Sequence, residues 1–150
     1  RSLRGRALGY AGLAAVGAGG ALGGHLAYRL AASVNHAEDI RVRTEPGWHP
    51  LGAKAEFPVG EPVRRNVGET PVLVVRESGG EVYVLAERCS HMAGPLSQGR
   101  VSADGCVQCP WHGSRFRLSD GQPVGGPATA PQPVFETRYA EGVLQARLTA

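Results

Sequence analysis

Two stretches decide how this chain reads: Cys89-Ser90-His91-Met92-Ala93-Gly94-Pro95-Leu96 and Cys109-Pro110-Trp111-His112-Gly113-Ser114-Arg115-Phe116. Each offers one thiol and one imidazole, and seventeen residues separate His91 from Cys109. Both stretches carry Gly and Pro and lie between predicted strands, which places each ligand pair at the tip of a hairpin. Thiolate and imidazole together suit zinc or an iron–sulfur centre and do not suit calcium or magnesium, which take oxygen ligands.

Outward from these loops the chain reads as short strands separated by turns. Alternating or apolar runs predict strands at Pro62–Val67, Pro71–Arg76 and Glu81–Glu87, with Gly79-Gly80 turning the last pair into a hairpin. Gly105–Cys109, Ser114–Leu118, Val134–Tyr139 and Gly142–Leu148 read as further strands. Strands this short and closely spaced predict an all-β body, a small antiparallel sandwich or barrel over residues 47–150. No long helix is expected after residue 46, and there is no internal repeat.

The length of 150 residues, 42% hydrophobic and 19% charged, fits one folded domain with a short appendage. It excludes a disordered chain and a large two-domain enzyme. The 22 glycines and 11 prolines favour turns over a helical bundle. Three cysteines cannot all pair, and the length is long for a disulfide scaffold. The absence of a pairing set fits a reducing compartment without requiring one. The net charge of +3 is unevenly placed, because Arg1, Arg4, Arg6 and Arg29 stand in the first thirty residues with no acid among them. The rest is near neutral and contains a single lysine, Lys54, so no nucleic-acid partner is expected. The first residue is Arg and not Met, as expected of a processed product or of a piece of a longer chain.

The Cys-x-His and Cys-x-x-His pairs, their spacing and their surroundings resemble the Rieske iron–sulfur proteins. Gly126-Pro127-Ala128 also looks like the proline loop that covers the cluster in that family. The resemblance spans about residues 47–149. It implies a Rieske-type antiparallel β-sandwich with a small cluster-binding subdomain and one [2Fe–2S] cluster per chain. It further implies that Cys89 and Cys109 hold the inner iron and that His91 and His112 hold the outer one. Replacing two thiolates by neutral imidazoles reduces the negative charge around the irons and raises the potential. Such centres span about −150 to +300 mV, against about −400 mV for all-thiolate plant-type clusters. The imidazole ring protons couple to the electron, since reduction makes their loss harder.

Departures from the high-potential respiratory branch refine this. Gly94 and Trp111 stand where that branch has two further cysteines, so no disulfide joins the loops. Ser114 keeps the position of one hydroxyl that donates to a cluster sulfur, whereas Phe116 replaces the tyrosine that supplies another. Fewer donors imply a low-to-middle potential, as in Rieske ferredoxins and oxygenase Rieske domains. The alternative for the same four ligands is a structural zinc or redox-sensing module.

Other chemistry-bearing residues get plainer readings. Cys106, three before Cys109, faces the other way by strand alternation and reads as a small buried hydrophobe, a redox-sensing thiol being the alternative. Trp111 beside His112 reads as a cluster shield, a docking surface or plain packing. Arg88 and Arg115 flank the loops and read as merely solvated, or as attracting an acidic partner or raising the potential. Trp48 and His49 are read as structural, and His36 as a linker residue with no specific role.

From Ala7 to Tyr28 there are 22 consecutive residues without a formal charge. At about 1.5 Å per residue, such a helix covers a hydrocarbon core of about 30 Å. We read residues 1–30 as one N-terminal transmembrane helix with a basic flank, and residues 31–46 as a linker. The run is only weakly apolar, but Gly19, Gly20, Gly23 and Gly24 carry the small-xxx-small spacing that admits other transmembrane helices. A signal peptide and a flexible Gly/Ala-rich tail are the alternatives. The stretch around His25 resembles the last helix of an uncharacterised multi-helix membrane domain that often precedes a Rieske domain in actinobacterial proteins. His25 itself reads as a haem ligand, part of a proton path or an interfacial residue. Arg1, Arg4 and Arg6 against Arg29 put the N-terminal side in the cytoplasm, a bias blurred by Arg41 and Arg43.

The expected function is one-electron transfer at a membrane, with a redox protein or membrane electron-transfer partner. The alternative is the Rieske electron-transfer subunit of an oxygenase, nitrite reductase or respiratory oxidoreductase. No 2-His-1-carboxylate set and no flavin or nicotinamide fingerprint occurs, so no substrate-converting site is expected in this chain.

Overall fold

The structure, a computed structural model, describes residues 2–29 and 35–149. It divides into two units, Arg1–Val34 and Asn35–Ala150.

The first unit is a helix, α1 (Leu3–Gly24), continued by a wider π-helical turn over His25–Arg29. Ser2 caps its start, its hydroxyl accepting from the Gly5 N–H at 3.2 Å. The helix therefore begins ahead of the uncharged run and includes Arg4 and Arg6. Taken by itself it buries none of its residues, and its apolar side chains are spread around all faces. Leu3–Tyr28 is long and apolar enough to cross a membrane by length and composition, a test that a signal sequence also passes.

The second unit is built of ten strands. A six-stranded antiparallel sheet has the order β1-β10-β9-β4-β3-β2, and a four-stranded one the order β5-β6-β7-β8. In the large sheet lie β1 (His49–Ala53), β2 (Pro62–Val67), β3 (Thr70–Arg76), β4 (Val82–Ala86), β9 (Val134–Ala140) and β10 (Val143–Leu148). The small sheet holds β5 (Arg100–Ser102), β6 (Cys106–Gln108), β7 (Arg115–Arg117) and β8 (Pro123–Gly125).

The Val72-Leu73-Val74-Val75 run explains the layering. A strand that is apolar at every position must be covered on both faces. Val72 and Val74 join one core with Phe57, Val67, Val84, Phe135 and Leu144. Leu73 and Val75 join a second core with Leu85, Leu96, Val107, Phe116 and Leu118, between the two sheets. Cys89 and Cys109 belong to this second core, which is thus both the filling of the body and the floor of the ligand site.

Most predicted strands are present to within about a residue. The additional ones are β1, β5 and β8; the last two are three residues long, too short for any periodicity to register. The larger difference is in the expected linker. Residues 31–34 lie outside the described residues, but from Asn35 onward the segment packs on the body. Ala37 and Ile40 are buried in the first core, and Ile40–Arg43 forms a single helical turn, α2. One turn carries only two inward positions, which is too little pattern to distinguish from a polar connector.

Candidate metal centre

The two ligand loops leave the β4 end and the β6–β7 hairpin and meet at one tip. In the first, the Cys89 N–H donates to the Gly94 carbonyl at 2.9 Å and the Ala93 N–H to the Cys89 carbonyl at 2.8 Å. In the second, the Cys109 N–H donates to the Ser114 carbonyl at 2.8 Å and the Gly113 N–H to the Cys109 carbonyl at 3.2 Å. Each closure needs a left-handed residue, Ala93 at φ 60° and Gly113 at φ 74°. The loops touch at Gly94, where a Cβ would stand 2.9 Å from the Cys109 sulfur and 3.1 Å from the Trp111 ring. Only glycine permits that approach, which accounts for the absence of a side chain at this position.

Cys89 and Cys109 are 1% and 3% exposed, facing the core. The imidazoles of His91 and His112 are half-buried and exposed, their ring centroids 5.1 Å apart and the planes at 89°. Burial pushes the Cys89 thiol up to about 11, against the pull of the His91 and Met92 N–H groups, and the neighbouring Cys109 adds to the rise. The Cys89 thiolate is therefore favoured at neutral pH by a bound cation. Among the described residues, no three His, Cys, Asp or Glu side chains converge on one point where a single ion would sit. The donors form two pairs instead, thiols inside and imidazoles outside, as a two-iron centre of mixed ligation requires.

Ser114 is fully buried, and its hydroxyl oxygen accepts from the Ala128 N–H at 3.2 Å, so its own proton is free to donate. The contact joins the second loop to Gly126-Pro127-Ala128. Gly126, at φ 84°, lies so close that a Cβ would stand 2.6 Å from the Ser114 Cα. Phe116 is fully buried and offers no donor.

The flanking arginines are paired, not free: Arg88 with Asp39, and Arg115 with Asp104 at 2.6 Å. Cys106 is buried on the opposite side from Cys109, its sulfur donating to the Asp104 carbonyl at 3.7 Å. Burial pushes its thiol above the ordinary range. Trp111 is exposed, edge-on to His112 at 6.4 Å, and exposed Met92 stands on the other loop. The guanidinium groups of Arg138 and Arg147 lie over the Trp48 ring at 4.2 and 4.7 Å, and His49 bonds the Glu45 carbonyl, so both are structural. The His25 side chain is exposed on the first unit.

Two contributors escaped the sequence reading. Buried Gln132 accepts from the Ser90 N–H at 2.9 Å and donates to the Ala86 and Arg88 carbonyls at 2.9 and 2.6 Å. It pins the first loop from a strand-free stretch forty residues away, which no local pattern reveals. The second is His36, whose backbone N–H donates to the Ser90 carbonyl at 2.8 Å.

Comparison with known proteins agrees with this geometry. The family model for the Rieske [2Fe–2S] domain matches residues 47–136. The chain is 40% identical over 98 residues to the anthranilate 1,2-dioxygenase ferredoxin subunit of Burkholderia cepacia, covering 65% of this chain and 89% of that protein. It is 34% identical over 88 residues to the 3-phenylpropionate/cinnamic acid dioxygenase ferredoxin subunit of Escherichia coli K12, covering 59% and 81%. Among solved structures, a chain in the complex of reduced oxygenase and oxidized ferredoxin of carbazole 1,9a-dioxygenase superposes with a TM-score of 0.60 at 31% identity, over 67% of this chain and 92% of that one. The carbazole 1,9a-dioxygenase ferredoxin of Nocardioides aromaticivorans shares the fold with a TM-score of 0.64 at 24% identity, over 68% and 98%. The chain therefore belongs to the Rieske [2Fe–2S] domain family, and its prosthetic group is that cluster, not zinc.

Proposed function

We propose that this chain is a Rieske electron carrier of the ferredoxin-subunit type, held at a membrane by α1, that passes single electrons to the oxygenase component of a ring-hydroxylating system. The observation that carries the reading is the pair of outer imidazoles, 5.1 Å apart at the surface above two buried thiols. In this arrangement Cys89 and Cys109 hold the inner iron and His91 and His112 the outer one, with the Ser114 hydroxyl donating to a cluster sulfur. The cluster supplies a one-electron couple; the protein buries its inner half and leaves its outer ligands within a partner's reach. Exposed Trp111 and Met92 give the tip an apolar docking face. The ferredoxin-subunit relatives support an oxygenase partner over a free-standing membrane carrier. The uncharged run Ala7–Tyr28 supports the anchor, with Gly19, Gly20, Gly23 and Gly24 open for other helices.

The test is a potentiometric titration of the whole chain, followed in carbonate-washed membranes. A reversible one-electron step at low-to-middle potential that stays with the membranes is the expected result. A reversible step found wholly in the supernatant removes the anchor from the reading; no reversible step removes the carrier.

A further inference from the structure

Residues 35–46 precede the family-matched region, which begins at residue 47, and yet Asn35–Thr44 is built into the ligand site. Asn35 folds the segment back on itself, its side chain accepting from the Ala37 N–H at 2.9 Å and donating to Glu38 at 2.8 Å. Ala37, fully buried, and Ile40, at 5% exposure, seat it on the large sheet. At its end the Thr44 hydroxyl bonds the Ile40 carbonyl at 2.7 Å and the Thr70 hydroxyl at 3.0 Å. Two further contacts fall on the first ligand loop itself. The His36 N–H takes the carbonyl of Ser90, between the two ligands Cys89 and His91, and Asp39 pairs with Arg88, next to Cys89. Ser90 is thus held at both backbone groups, its N–H by Gln132 and its carbonyl by His36.

We propose that Asn35–Thr44 is a brace for the first ligand loop and that Asp39 is a positioning and tuning residue for the cluster, acting through Arg88. The proposal rests on the electron-carrier reading above. The Arg88 guanidinium, carried one residue along the chain from Cys89, favours the reduced, more negative cluster and raises its potential; a carboxylate paired with that guanidinium offsets the effect. Asp39 and Arg88 are only 38% and 39% exposed, so solvent screens the pair incompletely. Arg43, the other partner of Asp39 at 3.1 Å, is 78% exposed and contributes less. The chain between helix and body is, over these residues, part of the cluster's surroundings and not a free tether.

The experiment is a double-mutant cycle on the whole, cluster-loaded chain, read by potentiometric titration at low and high salt. Asp39→Asn shifts the potential up, Arg88→Gln shifts it down, and the double variant returns close to wild type. All these shifts shrink as salt is raised. Hydrogen exchange supplies the structural arm: the His36 amide is protected in wild type and exchanges faster in Asp39→Asn. Unchanged potentials in both cluster-loaded single variants, or shifts of the same sign in both, overturn the proposal alone. A wild-type chain with no reducible cluster overturns the reading beneath it.

Discussion

In both ligand loops the cysteine N–H donates to the carbonyl five residues on, and the residue before that carbonyl is left-handed. What differs is the support around this shared frame. The second loop is nearly self-contained: it closes the β6–β7 hairpin and is covered by Gly126 and Ala128, a few residues downstream of that hairpin. The first is closed by a single antiparallel bridge, Arg88 with Pro95, in place of two paired strands. It is fastened by Gln132 on one side and by His36 and Asp39 on the other, from opposite ends of the folded body. A loop closed by one bridge takes long-range clamps that lie outside its motif, where a strand hairpin supports the other.

Substitutions separate the frame from its supports. The largest effect is expected from Cys109→Ser, which removes a proposed inner ligand: iron content falls to none, by elemental assay, while the strands persist by circular dichroism. Gly126→Ala drives a methyl into the Ser114 backbone at a left-handed position. It costs about 3 kcal/mol in urea unfolding and speeds cluster loss by disturbing the second loop. Gln132→Ala strips three hydrogen bonds from the first loop and costs about 2 kcal/mol. Its signature in hydrogen exchange is faster exchange at Ser90, with the Cys109 amide unchanged. The smallest effects test the shared frame. Gly113→Ala meets nothing closer than 3.5 Å, so only its positive φ counts, and it costs about 1 kcal/mol with the cluster retained. Ala93→Gly relieves the same geometry in the first loop and gains about 0.5 kcal/mol. Equal and same-signed effects at the two positions would break the comparison.

The proposed ligand set could be read from the sequence because its chemistry is local. Cys89-x-His91 and Cys109-x-x-His112 fix donors and spacing within four residues, and Ser114 and the Gly126 loop follow in order. Strand β3, next to the edge of the large sheet, was legible because an unbroken apolar run has few other uses. The brace was not, since Ala37 and Ile40 show only one turn of pattern among charges. Gln132 sits between two prolines in a polar stretch, and its role exists only once residues 86, 88 and 90 have been folded against it. The pairing of the arginines was not legible, because charge on a sequence does not reveal its partners: Asp39 is 49 residues from Arg88.

The most direct test of the centre is an electron paramagnetic resonance spectrum of the dithionite-reduced whole chain, with iron and zinc assayed on the same sample. The account predicts two irons per chain and a rhombic signal whose average g lies below that of an all-thiolate [2Fe–2S] cluster. A silent sample holding one zinc per chain and no iron would contradict it, leaving Cys89, His91, Cys109 and His112 as a structural metal site.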